Sequence, residues 1–278
     1  MIMMDDTIFG QLAELARPLN RIGVRPLICG GLGVYLSLYK QQNEAHKLLR
    51  ATRDIDLMLT EQDVSKEAKR NAVVNIITVE LDYEVRKGCE HFRFQKGNNQ
   101  QLDILTPPIN GIKVQGNRSR LVKSKLHGRI ASEACFIKED LRTISSSEIL
   151  SGDLFGSFEI LLPSPTKLLI LKLFAFDDRS NKDDTEHAQT HALDVYLIIA
   201  MLTRRIDYLE SQKFLARHKD SEIIKRAQSI VGSKFSSVDK RGWQLVLEAS
   251  SFYPQLNVRQ KRNRLVDAKN RLVRWFTI

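Results

Sequence analysis

Cysteine is scarce in this chain, with only three among 278 residues. Cys29, Cys89 and Cys135 are scattered, odd in number and without Cys-x-x-Cys spacing. This pattern argues against a disulfide-stapled fold and against a structural zinc site built on cysteine. It favours a reducing compartment, so we expect a cytoplasmic protein.

Long apolar runs are also missing. No run reaches the roughly 18 apolar residues of a membrane span, so we expect no membrane segment. Asp5 and Asp6 stand where a signal peptide would carry positive charge, and no apolar core segment follows them, so no secretory signal is expected. Hydrophobic content of 42% and charged content of 27% are ordinary for a globular chain, so disorder is not expected.

Acidic residues are in deficit, with 33 Asp and Glu against 43 Lys and Arg, a net charge of +10. A surplus of this size favours polyanionic partners. The basic residues are concentrated in two stretches, Asn117 to Ile130 and Arg259 to Arg274. Each stretch is open to two interpretations, a solvated basic face or a nucleic-acid contact surface. The residues concerned are Arg118, Arg120, Lys123, Lys125 and Arg129, then Arg259, Lys261, Arg262, Arg264, Lys269, Arg271 and Arg274.

The chain is long enough for two domains. Pro163-Ser164-Pro165 interrupts it, and the pattern is helical from Thr166 onward, with breaks expected near Gly232 and Pro254. Strand-like and helical segments alternate before the interruption. We therefore predict an α+β protein, with a mixed-sheet domain over residues 1–160 and a helical domain over residues 161–278.

Several segments of the first domain have a clear period. A helical spacing of leucine and alanine runs from Thr7 to Leu19, which predicts an amphipathic helix on the sheet. Two alternating segments, Glu80 to Val85 and His91 to Gln95, are predicted to be strands joined by a turn. Phe158 to Leu162 is predicted to be the last strand of this domain.

Two carboxylates stand two positions apart in the otherwise largely apolar stretch from Thr52 to Leu59. Strand side chains alternate between faces, so Asp54 and Asp56 should share one face while the apolar residues point to the other. Two like charges that close repel each other unless a cation lies between them. For an isolated pair, a half-exposed edge strand with an acidic face would be the simpler interpretation.

Two further segments accompany this pair. Upstream, the strand-like Leu27 to Cys29 runs into Gly30 and Gly31 and then into an apolar helix-like segment. Downstream, Gln101 to Leu105 is strand-like, and its carboxylate at Asp103 should share a face with Gln101.

This combination resembles the nucleotidyltransferase fold of the DNA polymerase β superfamily. The resemblance implies that Asp54 and Asp56 bind two Mg²⁺ ions about 3.5–4 Å apart. It implies that Asp103 binds the catalytic ion and helps deprotonate an acceptor hydroxyl. Gly30 and Gly31 would cradle the nucleotide phosphates at the N-terminus of the following helix.

The sequence departs from this family at two points. Many members have Ser after the first Gly, whereas Leu32 follows Gly31 here. The path from Gly31 to Asp54 is also long, at 23 positions, with an inserted polar stretch from Gln41 to Arg50. These departures affect the expected binding of the nucleotide phosphates and leave the three carboxylates of the pattern unchanged.

The helical domain starts with the apolar segment Lys167 to Phe176, followed by Asp178-Arg179 and Lys182-Asp183. This pattern resembles the second-domain signature of the AbiEii-like nucleotidyltransferase toxins of toxin–antitoxin systems. In those proteins a Lys of this helix and an Asp of the next helix face the nucleotide, and the matching residues are Lys172 and Asp194. Lys167 is an alternative for the Lys role. A lysine on a helix rim and a structural ion pair of Asp194 with Lys172 or His191 are the alternatives without function.

Two further motifs are weak. His187 and His191 have a zinc-binding spacing, but position 188 is Ala rather than the Glu of a zinc protease. The glycines at 30, 31 and 33 follow a strand, but the third glycine of a dinucleotide-binding fingerprint would fall at Leu36.

The resemblance implies Mg²⁺-dependent transfer of a nucleoside monophosphate from an NTP to an acceptor hydroxyl. The expected acceptor is RNA, by family likeness a tRNA 3′ end, and the expected setting is a toxin with a cognate antitoxin protein or a phage-defence system. The alternatives are an antibiotic-modifying nucleotidyltransferase, which would need an acidic pocket, and a catalytically silent RNA-binding member.

Overall fold

The computed structural model describes residues 6–277 except 39, 41–43, 50–51, 53, 65, 90–91, 98–99, 109–112, 116–117, 121–125, 150–155 and 203. The chain divides into two compact units. The first comprises Met1–Ser37 and Ala51–Lys167, and the second comprises Leu38–Arg50 and Leu168–Ile278. The segment Leu38–Arg50, which the sequence pattern places in the first domain, thus groups with the second unit.

The first unit combines helices with a mixed sheet, which confirms the predicted α+β class. Its helices are α1 (Asp6–Arg21), α2 (Gly30–Leu38, up to Ser37), α3 (Glu61–Val64), α4 (Glu67–Asn75) and α5 (Ser146–Ile149). Its strands are β1 (Leu27–Ile28), β2 (Asp54–Met58), β3 (Glu84–Val85), β4 (Arg93–Lys96), β5 (Gln100–Thr106), β6 (Lys113–Gln115), β7 (Arg118–Arg120), β8 (His127–Ile130), β9 (Arg142–Ser145) and β10 (Glu159–Leu162).

These strands form one sheet in the order β6-β7-β8-β5-β2-β1-β10-β9, and β4 also pairs with β5 while β3 pairs with β4. The pairs β2–β5, β5–β8 and β1–β10 are parallel, whereas β1–β2 and β4–β5 are antiparallel. One edge of β5 pairs with β2, and two strands share the opposite edge. On that edge, β4 pairs with Gln100 to Asp103, and β8 pairs with Leu105 and Thr106.

The core of the first unit lies between α1 and the apolar face of the sheet. The helical period predicted for Thr7 to Leu19 is confirmed, because α1 buries its apolar stripe almost completely. The residues of this stripe are Leu12, Leu15, Ala16 and Leu19, each at most 1% exposed. They join Ile55, Leu57, Leu102 and Ile104 of the central strands, each 0% exposed, in one hydrophobic cluster.

Two local expectations differ from the structure. The segment Glu80 to Val85 is a strand only in its last two residues, because Ile76–Glu80 continues α4 as a π-helical turn. Near Gly232 the chain likewise stays helical as the π-helical turn Val231–Phe235, since Val231 and Phe235 are buried and anchor it.

The second unit is helical. Its helices are α6 (Pro165–Ser180, from Leu168 onward), α7 (Thr185–Met201), α8 (Arg205–Arg217), α9 (Glu222–Ile230), α10 (Arg241–Glu248) and α11 (Val258–Phe276). Helix α7 is central, because it contacts α10, α11 and the 3₁₀ helix Glu44–Leu48. This last contact explains why residues 38–50 belong to the second unit. Helix α11 begins with a capping box, in which the side chains of Asn257 and Gln260 each accept a hydrogen bond from the other residue's backbone N–H.

Candidate functional site

The three predicted carboxylates lie on neighbouring strands of the first unit. Strands β2 and β5 are parallel, with Asp56 opposite Asp103 and Asp54 opposite Gln101. Residues opposite each other in register share a face, as do residues two apart on one strand. The structure therefore brings Asp54, Asp56 and Asp103 to one face of the sheet.

Exposure changes along this row of carboxylates. Asp54 is exposed, Asp56 is half-buried and Asp103 is 5% exposed. Ile55 and Leu57 point to the opposite, fully buried face. The predicted alternation of β2 is thus confirmed, and the carboxylates run from solvent into the sheet.

Arg93 is the partner of Asp103. It lies directly opposite Asp103 on β4. Its Nε atom donates a hydrogen bond of 2.6 Å to Oδ1, and its Nη2 atom donates to Oδ2. This hydrogen bonding raises the pKa of Arg93, and the negative charge of Asp56 acts in the same direction. Arg93 is therefore a fixed cation beside the carboxylates.

Gly30 lies against Asp56. Its φ is +61°, and a Cβ atom added there would lie 1.7 Å from Oδ2 of Asp56. The amide of the preceding Cys29 donates to the carbonyl of Asp56 at 2.9 Å. Helix α2 begins at Gly30, so its positive N-terminal end meets the Asp56 carboxylate. Only glycine permits this approach, for steric and for conformational reasons.

The chemistry of the donor set suits a hard divalent cation, because carboxylate oxygens are the ligands that Mg²⁺ prefers. Asp54 and Asp56 present such oxygens on one face. Asp103 presents both of its oxygens to Arg93. Within the described residues, no group of three His, Cys, Asp or Glu side chains is arranged to hold a metal ion.

The second unit contains a buried ion pair between the other two predicted residues. Lys172 Nζ of α6 lies 2.7 Å from Oδ2 of Asp194 of α7. The two side chains are 6% and 4% exposed. A buried charge requires a partner, and each of these residues supplies one for the other.

Lys167 has a different environment in the first unit. Its Nζ donates to the carbonyl of Glu139 and lies 3.4 Å from Oδ2 of Asp140. The ion pair that the structure shows for Asp194 is the one with Lys172.

Two histidines of α7 stand near these residues. His187 contacts Asp184, with 2.8 Å between Nδ1 and Oδ1, and this contact is the main cause of a lowered pKa of Asp184. Burial lowers the pKa of His191 to about 3, and the Lys172 ammonium acts in the same direction while Asp194 opposes it. The buried Nδ1 atom of His191 has no hydrogen-bond partner among the described residues. His191 is therefore neutral near pH 7.

The basic residues of α11 are partly engaged within the second unit. Arg262 pairs with Asp239, and Arg271 lies 3.7 Å from Asp267. Two further arginines of this helix stack on aromatic rings, with the guanidinium carbon 5.6 Å and 4.6 Å from the ring centre. These two pairs are Arg264 with Tyr253 and Arg274 with Tyr208.

The other basic stretch falls only partly within the described residues. Lys123 and Lys125 lie outside them. By backbone register, Arg129 stands opposite Leu105 of β5 and opposite Arg118 of β7. Leu105 is two positions from Asp103, so the position of Arg129 belongs to the same face of the sheet as the carboxylates.

No protein-family model matches the chain, and no similar curated protein is found. Among the described residues, no helix combines the length and apolar character needed to cross a bilayer.

Sequence reasoning missed Arg93. The alternation of His91 to Gln95 predicts a strand, but the residue that faces Asp103 depends on the register between β4 and β5. A turn near Lys87 and Gly88, which the sequence contains, fixes the other pairing of β4, with β3. The one available signal was that a predicted strand containing the basic residue Arg93 precedes the strand that contains Asp103.

Proposed function

We propose that the chain is a nucleotidyltransferase of the DNA polymerase β type, whose site is the carboxylate face of β2 and β5. The observation that carries this proposal is the register that sets Asp56 opposite Asp103 with Asp54 on the same face. Three carboxylates on one face have a clear use in phosphoryl transfer, where divalent cations balance the charge of a triphosphate.

In this proposal, Asp54 and Asp56 would hold Mg²⁺, and Asp103 would be a further ligand. The bound ions would supply charge neutralisation of the triphosphate and activation of an acceptor hydroxyl. The residues of the chain would position the reactants. Asp103 would help to deprotonate the acceptor hydroxyl, and Arg93, its hydrogen-bond partner, would balance negative charge beside it.

The nucleotide phosphates would lie against Gly30, Gly31 and the N-terminus of α2. First-turn amides of a helix have no acceptor within the helix, and they favour anions. The close contact of Gly30 with Asp56 supports this placement, because phosphate and carboxylates would then share one cation. For Lys172 and Asp194 of the second unit, a nucleotide role is proposed from the AbiEii-like resemblance alone.

The proposed acceptor is RNA, most specifically a tRNA 3′ end. The net charge of +10 supports a polyanionic partner. The register that sets Arg129 opposite Leu105, and Arg118 opposite Arg129, adds support, because it continues the carboxylate face into a basic part of the sheet. A toxin role with a cognate antitoxin is proposed from the resemblance alone.

Incubation with each α-labelled NTP, Mg²⁺ and total cellular RNA tests the proposal. We expect label in RNA with the wild-type protein and none with Asp54→Asn or Asp56→Asn. Glu67→Gln, which removes an exposed carboxylate of α4, is the matched control and should label normally. Label in an added aminoglycoside but not in RNA would favour an antibiotic-modifying enzyme. RNA binding without any labelling would favour a silent member.

A further inference from the structure

Arg93 and Asp103 form a forked pair at the inner end of the carboxylate row. Both oxygens of Asp103 accept from the guanidinium, through Nε at 2.6 Å and through Nη2. The Asp103 side chain is 7% exposed, whereas the Arg93 side chain is 24% exposed. The carboxylate is thus held in the sheet, and the guanidinium has a route to solvent.

The position of this pair means that Asp103 needs a positively charged partner. Asp56 and Asp103 face each other across parallel strands, which are about 4.8 Å apart. Like charges at that separation repel, and a buried carboxylate needs a partner. A forked arginine is the strongest such partner that a side chain can offer, because its two donors match the two oxygens. Arg93 therefore neutralises the negative charge of Asp103, as a bound divalent cation would.

We propose that Arg93 is the resident counter-ion of Asp103, which a divalent cation must displace before Asp103 can act as its ligand. This inference rests on the proposed function, because it concerns the cation affinity of the same carboxylates. Arg93 is then a positioning residue: it keeps Asp103 ordered while no cation is bound, and it sets the cation concentration at which the site fills.

A purely structural ion pair is the alternative, and geometry separates the two. A pair with only a structural role needs no second carboxylate beside it, whereas Asp103, the partner of Arg93, stands opposite Asp56 across β5 and β2. Arg86 offers a comparison on the neighbouring edge. It donates at 3.0 Å to the neutral side chain of Gln101, two residues before Asp103 on the same strand.

Binding of Mn²⁺ alone, measured by electron paramagnetic resonance of the free ion, tests the inference without any activity assay. We expect Arg93→Gln to tighten Mn²⁺ binding about tenfold, which corresponds to one unit charge removed at short range. Arg86→Gln is the matched control, since it removes one positive charge nearby, and it should change the affinity less than about threefold. Arg93→Lys, which keeps the charge but loses the fork, should fall between wild type and Arg93→Gln.

Thermal unfolding provides a second measurement if Arg93→Gln folds poorly. In EDTA, Arg93→Gln should unfold at a lower temperature than wild type, because Asp103 has lost its partner. Saturating Mn²⁺ should remove most of this deficit. The double variant Arg93→Gln/Asp103→Asn should gain less thermal stability from Mn²⁺ than Arg93→Gln does, because it lacks the Asp103 ligand.

Equal Mn²⁺ affinity in wild type, Arg93→Gln and Arg86→Gln would overturn the inference, as would a thermal deficit that Mn²⁺ leaves unchanged. Absence of Mn²⁺ binding in all variants would overturn it as well. The RNA-labelling experiment keeps these failures separate from failure of the proposed function, because wild-type labelling that depends on Asp54 would stand with either result for Arg93.

Discussion

Lys172 Nζ lies 2.7 Å from Oδ2 of Asp194, and both side chains are almost completely buried between α6 and α7. The pair would satisfy both charges without any ligand. It therefore has a structural role in the second unit, and a nucleotide role would have to be added to it. The two roles make different predictions for single and double variants.

Lys172→Ala should destabilise the second unit by about 3–5 kcal/mol, because it leaves Asp194 as an uncompensated buried charge. The double variant Lys172→Met/Asp194→Leu should recover most of that loss. Urea unfolding followed by tryptophan fluorescence measures this unit selectively, since Trp243 and Trp275 are the two tryptophans of the chain and both belong to it. If Lys172→Ala costs less than about 1 kcal/mol, the pair is not what holds these helices.

The pH dependence of the second unit should depend on His191. Its pKa is about 3 in the folded protein, below the usual value of about 6.5 in the unfolded chain. Between these values the unfolded chain binds one more proton, so stability is complete above about pH 6.5 and falls as the pH falls toward 3. The loss from pH 7 to pH 5 should be about 2 kcal/mol.

Urea unfolding at pH 7 and pH 5 should show this loss in wild type and only a small remainder in His191→Gln. The charged groups facing His191 are Lys172, Asp194, Arg179 and His187, and all four are retained in this variant. His187→Gln, on the exposed part of the same helix, should keep the wild-type pH dependence. The same loss in both histidine variants would show that another group is responsible.

Gly30→Ala should prevent folding of the first unit or destabilise it severely. The new methyl would overlap Asp56, and the φ of +61° is unfavourable for alanine. Gly23→Ala is the matched control, because Gly23 has a φ of +71° but nothing within 4 Å of an added Cβ. That control should cost only about 1–2 kcal/mol. Thermal unfolding by circular dichroism compares the two, and equal costs would contradict the close approach to Asp56.

Replacing Asp54 or Asp103 by asparagine should change the free energy of unfolding of the protein by different amounts. Asp54→Asn should leave stability within about 0.5 kcal/mol or raise it, since Asp54 is exposed and repels Asp56. Asp103→Asn should cost about 1–3 kcal/mol, because Arg93 loses its charged partner. Both should abolish RNA labelling. Stability measured by circular dichroism in EDTA gives the comparison, and an inverted order would contradict the Arg93–Asp103 pair.

The proposed RNA contact should depend on salt. Each phosphate contact contributes about 0.7 to the slope of log affinity against log salt for single strands. The triple variant Arg262→Gln, Arg264→Gln and Arg271→Gln should therefore flatten the slope by about 2 if these side chains leave their present partners for phosphate. Arg118→Gln/Arg120→Gln is the comparison for the sheet. An unchanged slope in both would mean that the basic stretches are solvated faces.

The sequence predicted those features that depend on local periodicity. The alternation of β2 followed from its spacing of two, and the buried stripe of α1 followed from its helical spacing. The partner of Asp103 could not be predicted in the same way, because it depends on which residue of β4 stands opposite it. Likewise, nothing local in residues 38–50 indicates packing on α7, which is a contact distant in sequence.

The Lys172–Asp194 pair shows a third case. Sequence reasoning named both residues and left open whether they pair, because an apolar helix with one carboxylate requires a partner but does not say which. His191 was the other candidate, and its neutral, buried ring stands beside the pair without replacing either member.

Because β4 and β8 share one edge of β5, the sequence of the β6–β7 segment can vary without affecting the pairing of Asp103. Asp103 takes its register from β2 on one side and β4 on the other, whereas β8 pairs with β5 only beyond it, at Leu105 and Thr106. Insertions, deletions or altered loops in the β6–β7 segment would thus change the sheet beyond Asp103 without shifting the register of the carboxylate row. The basic part of the sheet can therefore diversify while the carboxylate row beside it keeps its register.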